Sequence, residues 1–498
     1  MKRYEQFAEQ IATLIRQGVL AAGERIPSVR QASRHYGISQ STVFQAYYLL
    51  ENRGLIAARE RSGYFVLENA RVLEHARVLE NARALEHARA LEHARGPEHA
   101  RPQENEPQAV PTQVAVSELV FSVLESLQDT STVPFGSAFP SAELFPLSRL
   151  AASMTRALRA MSPQSIGADM TSGHPDLRRQ IALRYRLGGM QPELNELVIT
   201  NGAMEALSLA LQCVTEPGDL VAIEAPTFYA SLQLLERLNL RAVEIPVDPD
   251  RGLDIDVLAE RLARLPIKAC WLMSHLHNPV GVSLDETRKQ QLYRLLKQHQ
   301  VALLEDDAYA ELYFGDTPPR PIKAFDDDGL VMHCGSFSKC LAPGYRVGWV
   351  SGGRFAAAIE RLKLMTSISP SLPAQAAIAD YLQHGGLDRH LRRLRQRLEQ
   401  QQGLMLAAAQ QYFPAETRVT RPEGGYFLWF EFPARVDSLS LFRQAMSAGV
   451  SLAPGPIFSA TGDFRHCARL NYGHLWTERS ERAMKILGQL MTANSGGV

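Results

Sequence analysis

Residues Gly335–Trp349 read GSFSKCLAPGYRVGW, and the reading of this stretch decides the fold. A lysine stands beside small hydroxyl residues, with an arginine shortly after it. Those residue types suit a Schiff-base lysine next to a phosphate cradle. Lys339 would form an imine with an aldehyde, while Ser336, Ser338 and Arg346 would hold a phosphate, the arginine acting as a charge-assisted fork. A lone S-x-S-K is otherwise a polar surface turn, so the flanking chain has to carry the reading.

From Pro134 onward, helical segments alternate with short apolar runs: LVIT, LVAIEA, KACWLM, VALLEDD, LVMHCGSFS and RVGWVS. That alternation implies an α/β fold, a mostly parallel sheet with helices on both faces. After about Ser369, Arg-rich helical sequence (DRHLRRLRQRLEQQQG) leads into a smaller C-terminal α+β region, GGYFLWFEFP and CARLNYG. The candidate chemistry sits at the strand ends. ITNGAMEAL puts a glycine turn between strand and helix, so the amides of Gly202, Ala203 and Met204 can meet a phosphate at a helix N-terminus. IEAPTFYA offers Phe228 to stack on a flat ring, and SHLHNPVG offers the amide of Asn278. LLEDDAY places Asp306 at the end of an apolar strand, three residues before Tyr309. A carboxylate there keeps a pyridine nitrogen protonated and makes the ring an electron sink. CARLNYG presents Arg469 in an apolar strand, where a charge is costly unless something anionic meets it. Each motif has an ordinary reading as a βα turn, a core aromatic or a helix cap. Their combination and order do not.

Together these motifs resemble fold-type I aminotransferases that use pyridoxal 5′-phosphate, from roughly Phe135 to the C-terminus. The resemblance implies that Lys339 is the aldimine lysine, Asp306 the pyridine-nitrogen partner, and Asn278 and Tyr309 the ring-hydroxyl partners. It implies that Ser336, Ser338, Arg346 and the Gly202–Met204 turn form the phosphate site, and that Arg469 takes a substrate carboxylate. One position departs from the pattern: Ala168 stands where relatives carry a tyrosine that reaches the partner subunit's phosphate.

The N-terminal residues carry a different pattern. Phe7, Ile11, Leu14, Ile15 and Val19 fall at helical spacing. AAGERIP is a turn, Ser28 caps a short helix that Gly37 breaks, and Ser39 caps a longer helix that stops at Gly54. LIAARERSGYFV then alternates like two strands around an Arg61–Gly63 turn. This is a winged helix-turn-helix, and it resembles the DNA-binding domain of GntR-type bacterial regulators. The resemblance implies that Ser39, Gln40, Ser41, Thr42 and Phe44 face DNA, that Arg30 clamps phosphate, and that the wing tip at Ser62, Gly63 and Tyr64 touches the duplex. Gln40 stands where many relatives place arginine, which favours adenine over guanine as its partner.

Composition agrees with two linked parts. The 498 residues carry 53 basic and 53 acidic side chains, 45% hydrophobic and 21% charged overall. The first 66 residues hold nine Lys/Arg against five Asp/Glu, a mild basic excess that suits nucleic acid. Five scattered cysteines suggest neither a disulfide framework nor a metal site, and a cytoplasmic setting is expected. No apolar run approaches the ~18 residues of a membrane span.

Between the parts lies a hexad repeat, ARVLEHARVLENARALEHARALEH at Ala70–His93. Six residues advance a helix by about 600°, so successive leucines make no seam. The histidines lack the i, i+4 spacing of a metal pair. The repeat is expected to be a helical or flexible linker, with SELVFSVLESLQ after it as a bridging helix.

The expected layout is residues 1–68 as DNA-binding head, 69–132 as linker and 133–498 as effector body, its large subdomain at about 160–365 and its small one at about 370–498. A GntR-like head on an aminotransferase-like body resembles MocR-type regulators. This implies a homodimer that binds a double-stranded DNA operator and senses pyridoxal phosphate, or its adduct with a small amino compound, through the lysine aldimine. An active aminotransferase with an appended DNA-binding head is the alternative, and a protein-docking head is a third reading.

Overall fold

The computed structural model describes residues 3–16, 19–53, 55–59, 63–67, 112–114, 116–126, 132–162, 172–190, 192–384 and 386–493. The chain divides into two compact units. One carries Met1–Gln108 with Arg178–Leu187 and Gln191–Leu194, and the other the remaining chain from Ala109.

In the head, α1 (Arg3–Arg16) buries Phe7, Ile11, Leu14 and Ile15, the face that the helical spacing marks. α2 (Val29–Tyr36) opens on a reciprocal cap. Ser28 Oγ accepts from the Gln31 amide at 3.3 Å, and Gln31 Oε1 accepts from the Ser28 amide at 3.0 Å. Gly37 ends this helix at φ 59°, a left-handed conformation that glycine adopts without penalty. α3 (Gln40–Asn52) opens on Ser39, whose Oγ accepts from the Thr42 amide at 3.1 Å. Such caps contribute ~1 kcal/mol each. β1 (Ile56–Arg59) and β2 (Gly63–Val66) pair antiparallel as the wing, Ile56 opposite Val66. The AAGERIP turn does more than connect. Ile26 donates its amide to the Tyr64 carbonyl at 3.0 Å and Val66 to that of Glu24 at 2.9 Å, so the turn lies along β2. Tyr47, fully buried, donates its hydroxyl to the Pro27 carbonyl at 2.8 Å and fixes α3 against that turn.

In the body, a large sheet runs in the order β3-β6-β5-β8-β9-β10-β11-β4, with β7 paired to β6. The strands are β3 (Thr112–Gln113), β4 (Leu197–Thr200), β5 (Leu220–Ala225), β6 (Arg241–Asp248), β7 (Gly252–Leu253), β8 (Ile267–Leu272), β9 (Ala302–Asp306), β10 (Val331–Ser336) and β11 (Gly348–Ser351). β6, β5, β8, β9 and β10 pair in parallel, whereas β11 pairs antiparallel with both β10 and β4. β4, β9 and β10 are buried at every residue, as strands covered on both faces must be. Leu258 and Leu262 of helix Ile255–Arg264 and Leu292, Tyr293 and Leu296 of helix Glu286–His299 join one core with Ala222, Ile245, Leu272 and Leu303. Helix Ala203–Val214 packs against β9, β10 and β11. A second, antiparallel sheet in the order β12-β13-β15-β14 is built from β12 (Arg418–Val419), β13 (Phe427–Glu431), β14 (Ala453–Pro454) and β15 (Cys467–Asn471), after the long helix Leu387–Tyr412.

The hexad repeat lies outside the described residues. The bridging helix is present at Ser117–Ser126 and docks on the body, where Glu236 Oε2 accepts the Val116 and Ser117 amides at 3.0 Å each.

Candidate functional site

Four parallel strands deliver their carboxyl ends to one region: β4 at Thr200, β5 at Ala225, β9 at Asp306 and β10 at Ser336. In an open α/β sheet this is where ligands bind. The reversed strand β11 adds its own beginning, for Gly348 lies opposite Ser336 on one side and Thr200 on the other. Space there is limiting. A Cβ on Gly348 would stand 2.4 Å from the Gly202 carbonyl carbon, and one on Gly202 2.6 Å from Arg346 Nη2. Gly202 also takes φ 84° as it opens helix Ala203–Val214, so Ala203 and Met204 occupy the first helical turn, whose amides point outward from the axis end. Arg346 donates to Ser338 Oγ and to the Asn201 carbonyl, both at 3.3 Å, and the Ser338 amide donates to Ser336 Oγ at 3.4 Å. The sequence motifs at Gly202, Ser336, Ser338 and Arg346 thus meet at one corner.

Lys339 follows that corner. Its half-buried side chain donates from Nζ to the Ala138 carbonyl at 2.9 Å, and Nζ lies 3.8 Å from the Phe139 ring centre and 5.8 Å from that of Tyr309. Burial lowers its pKa to about 7; the nearby Arg469 charge acts in the same direction and Asp306 opposes it. Burial likewise pushes Asp306 up to about 7, against the Ala308 amide that donates to its Oδ1 at 3.3 Å. Arg469 is fully buried in β15. Nη1 donates to Asn278 Oδ1 at 2.9 Å, and Nη2 to the carbonyls of Gly136 at 3.1 Å and Ser137 at 3.4 Å. The guanidinium carbon stands 4.1 Å from the Phe427 ring and 5.2 Å from that of Phe458, while Nε has no hydrogen-bond partner. Asn278 Nδ2 donates to the Tyr309 hydroxyl at 3.4 Å, and burial raises that hydroxyl's pKa. Lys339, Asp306, Tyr309, Asn278 and Arg469 therefore form one linked set. Phe228 is half-buried at the start of helix Tyr229–Arg237, with Tyr229 as its ring neighbour at 4.7 Å.

Below the set lies a network that sequence motifs do not announce. Asp307 accepts from His275 Nδ1 and His333 Nε2, each at 2.8 Å. Burial alone would raise its pKa, yet the two imidazoles hold it well below the usual carboxylate range. The segment Gly136–Phe139 and Tyr426, whose hydroxyl donates to the Ala138 carbonyl at 3.2 Å, were likewise not legible. Main-chain carbonyls leave no mark in a sequence.

On the head, Gln40 is exposed in the first turn of α3 and Phe44 is 58% exposed one turn on. Ser39 and Thr42 are engaged with each other, Oγ to Oγ1 at 2.8 Å, so Ser39 is a cap before it is anything else. Gly63 begins β2; the side chains of Arg30 and Ser41, and Ser62 altogether, lie outside what is described, as does Ala168.

These features define a class: a helix-turn-helix protein whose body is an aminotransferase-type α/β domain with an amine, a carboxylate and a guanidinium gathered at the strand ends. Residues 146–484 match the family Aminotransferase class I and II, and residues 3–66 the Bacterial regulatory proteins, gntR family. The uncharacterized HTH-type transcriptional regulator YdcR of Escherichia coli is 41% identical over 99% of both chains, and YjiR of the same organism, likewise uncharacterized, 35% over 98% of both. Among solved structures, the multiple substrate aminotransferase of Thermococcus profundus superposes with a TM-score of 0.71 at 28% identity, covering 76% of this chain and 96% of that one. LysN, the α-aminoadipate aminotransferase of Thermus thermophilus solved with N-(5′-phosphopyridoxyl)-L-leucine, gives 0.69 at 27%, covering 77% and 100%. The chain belongs to the GntR-type regulators that carry an aminotransferase class I and II domain, the MocR-type architecture. The coenzyme of that domain is pyridoxal 5′-phosphate. The residues present fit it: a lysine amine near neutrality, a buried carboxylate for a ring nitrogen, a guanidinium with an unmatched N–H, and a corner kept open by two glycines. Among the described residues no helix is long and apolar enough to cross a membrane.

Proposed function

We propose that this protein is a cytoplasmic, homodimeric transcriptional regulator whose body reports pyridoxal 5′-phosphate, or its adduct with a small amino compound, to the DNA-binding head. One observation carries the reading: Lys339, Asp306 and Arg469 are gathered in the same chain as a gntR head. Bound coenzyme supplies an electrophilic aldehyde and an electron-withdrawing ring. Lys339 is the amine that meets the aldehyde, and its lowered pKa leaves it substantially unprotonated near neutral pH. Asp306 holds a proton on the ring nitrogen, Asn278 and Tyr309 orient the ring hydroxyl, and Phe228 covers the ring face. The Gly202–Met204 amides, Ser336, Ser338 and Arg346 hold the phosphate, and Arg469 takes the carboxylate of an amino compound.

Residues 1–68 form the DNA-reading unit, 69–132 the tether and 133–498 the sensor. Gln40 and Phe44 reach base edges, with Ser39, Ser41 and Thr42 beside them. Arg30 and the Ser62–Gly63 wing tip hold the backbone. Two-fold symmetry presents two heads to two half-sites. The test is binding of the protein's own upstream DNA by wild type and Lys339→Ala, each with and without pyridoxal phosphate. Only the wild type should respond to the coenzyme, and four identical curves would overturn the reading. The intact amine, carboxylate and guanidinium also favour a second reading, an active aminotransferase; steady turnover of an amino acid and 2-oxo acid pair at ~1 s⁻¹ or faster would establish it.

A further inference from the structure

Helix α3 carries the face that the head offers to DNA, and its composition limits what that face can read. QSTVFQAYYLLEN contains no lysine or arginine, and its one charged residue is Glu51, near the far end. One side of the helix belongs to the core, where Val43, Ala46, Tyr47 and Leu50 are buried. The side turned outward carries Gln40, Phe44 and Tyr48, all exposed, at i, i+4 and i+8. That spacing sets them in one row about 12 Å long.

The two rings of the row stand bare. Phe44 is 58% exposed and Tyr48 63%, whereas Phe7 and Tyr47 fill the core of the head. Neighbouring apolar side chains left in water mark a contact surface, and here the chemistry of the duplex selects the contact. In the major groove guanine is read mainly by arginine or lysine, adenine by glutamine or asparagine, and thymine by apolar contact with its C5 methyl. α3 lacks the first kind of reader and holds the other two. A row of about 12 Å spans three to four base pairs at ~3.4 Å per step.

We propose that α3 reads an A·T-rich half-site through thymine methyl groups, the rings of Phe44 and Tyr48 packing on methyls and the Gln40 amide pairing with an adenine beside them. The inference rests on the DNA-reading role given to the head above and adds which bases it selects. Phosphate contacts from outside α3 position the helix without specifying sequence, so selection falls to this row.

The test uses the full-length protein and its own upstream DNA, synthesised once with thymidine and once with deoxyuridine throughout. The two duplexes share their base-pairing hydrogen bonds and differ in the C5 methyls. Wild type should bind the deoxyuridine duplex about tenfold more weakly, at about fourfold for each apolar carbon lost from contact. The double variant Phe44→Ala, Tyr48→Ala should bind both duplexes within about twofold of each other. Tyr48→Phe keeps the ring and should discriminate like wild type. Both positions are exposed and alanine favours helix, so the variants keep the fold. Equal binding of the two duplexes by wild type overturns the proposal. So does discrimination that persists in the double variant, which would place the effect in the shape of the duplex. Discrimination lost in Tyr48→Phe also counts against it, because the hydroxyl rather than the ring would then make the contact. Failure of wild type to bind the thymidine duplex overturns the DNA-reading role itself.

Discussion

Head and body hold their polar groups over different lengths of chain. In the head the helix-capping bonds span three residues, Ser28 with Gln31 and Ser39 with Thr42, while Tyr47–Pro27 spans 20 and Arg53–Glu9 spans 44. In the body, Arg469 reaches Asn278 across 191 residues, Lys339 reaches Ala138 across 201, and Asn471 reaches Ser137 across 334. Local bonds form with the elements they cap, whereas distant ones exist only once the whole fold has closed. The head is thus specified piece by piece. The proposed ligand site is a property of the complete body, and no segment carries it alone.

This contrast can be broken in graded ways. The largest expected effect is at Lys339: Lys339→Ala should abolish covalent capture of pyridoxal phosphate, read as chain mass after borohydride reduction, with thermal unfolding of the head unchanged. If the head melted too, the two parts would not be separable. Next, Arg469→Leu should weaken binding of N-(5′-phosphopyridoxyl)-L-leucine by ~10- to 100-fold, the worth of a charged hydrogen bond. Coenzyme without a carboxylate should be affected much less; equal losses for both would place Arg469 in the general framework of the body. Third comes pH. Because burial lowers Lys339 to about 7, the free amine, and with it the capture rate, should grow about tenfold per pH unit below that point and level off above it. A rate still climbing toward the ordinary lysine value of ~10.4 would contradict the burial argument. Smallest, Ser39→Ala should lower head stability by ~1 kcal/mol through one lost cap, with coenzyme capture unaltered.

The same contrast explains what the sequence discloses. Ser28, Gly37 and Ser39 mark the helix boundaries correctly because caps act within one turn. The six strand runs of the body were legible because strands covered on both faces are continuously apolar. β6 was not: RAVEIPVD mixes exposed charge and proline with buried positions, since among the described residues only the two-residue strands β3 and β7 pair along its outer edge. Within the site, Asp306 and Arg469 stood out as charges in apolar strands, and Lys339 through the hydroxyl residues and arginine around it. Asp307 carries no mark of its own in LLEDDAY, because its partners His275 and His333 lie 32 and 26 residues away. The Gly136–Phe139 segment stayed hidden because FGSAFP offers carbonyls, and every residue has one. Gln40 and Phe44 are presented outward on α3 as the helix-turn-helix pattern requires, whereas nothing local foretold that the AAGERIP turn lies along the wing.

The corner where β4, β10 and the reversed β11 meet has an evolutionary consequence. Gly348 meets the Gly202 main chain there and has no room for a Cβ, and Gly202 holds a φ of 84° that disfavours any side chain. Side chains such as Ser336, Ser338 and Arg346 can drift by small replacements; the two glycines beside them can only be kept or lost. A lineage can therefore shed catalytic groups one substitution at a time and retain the corner unchanged.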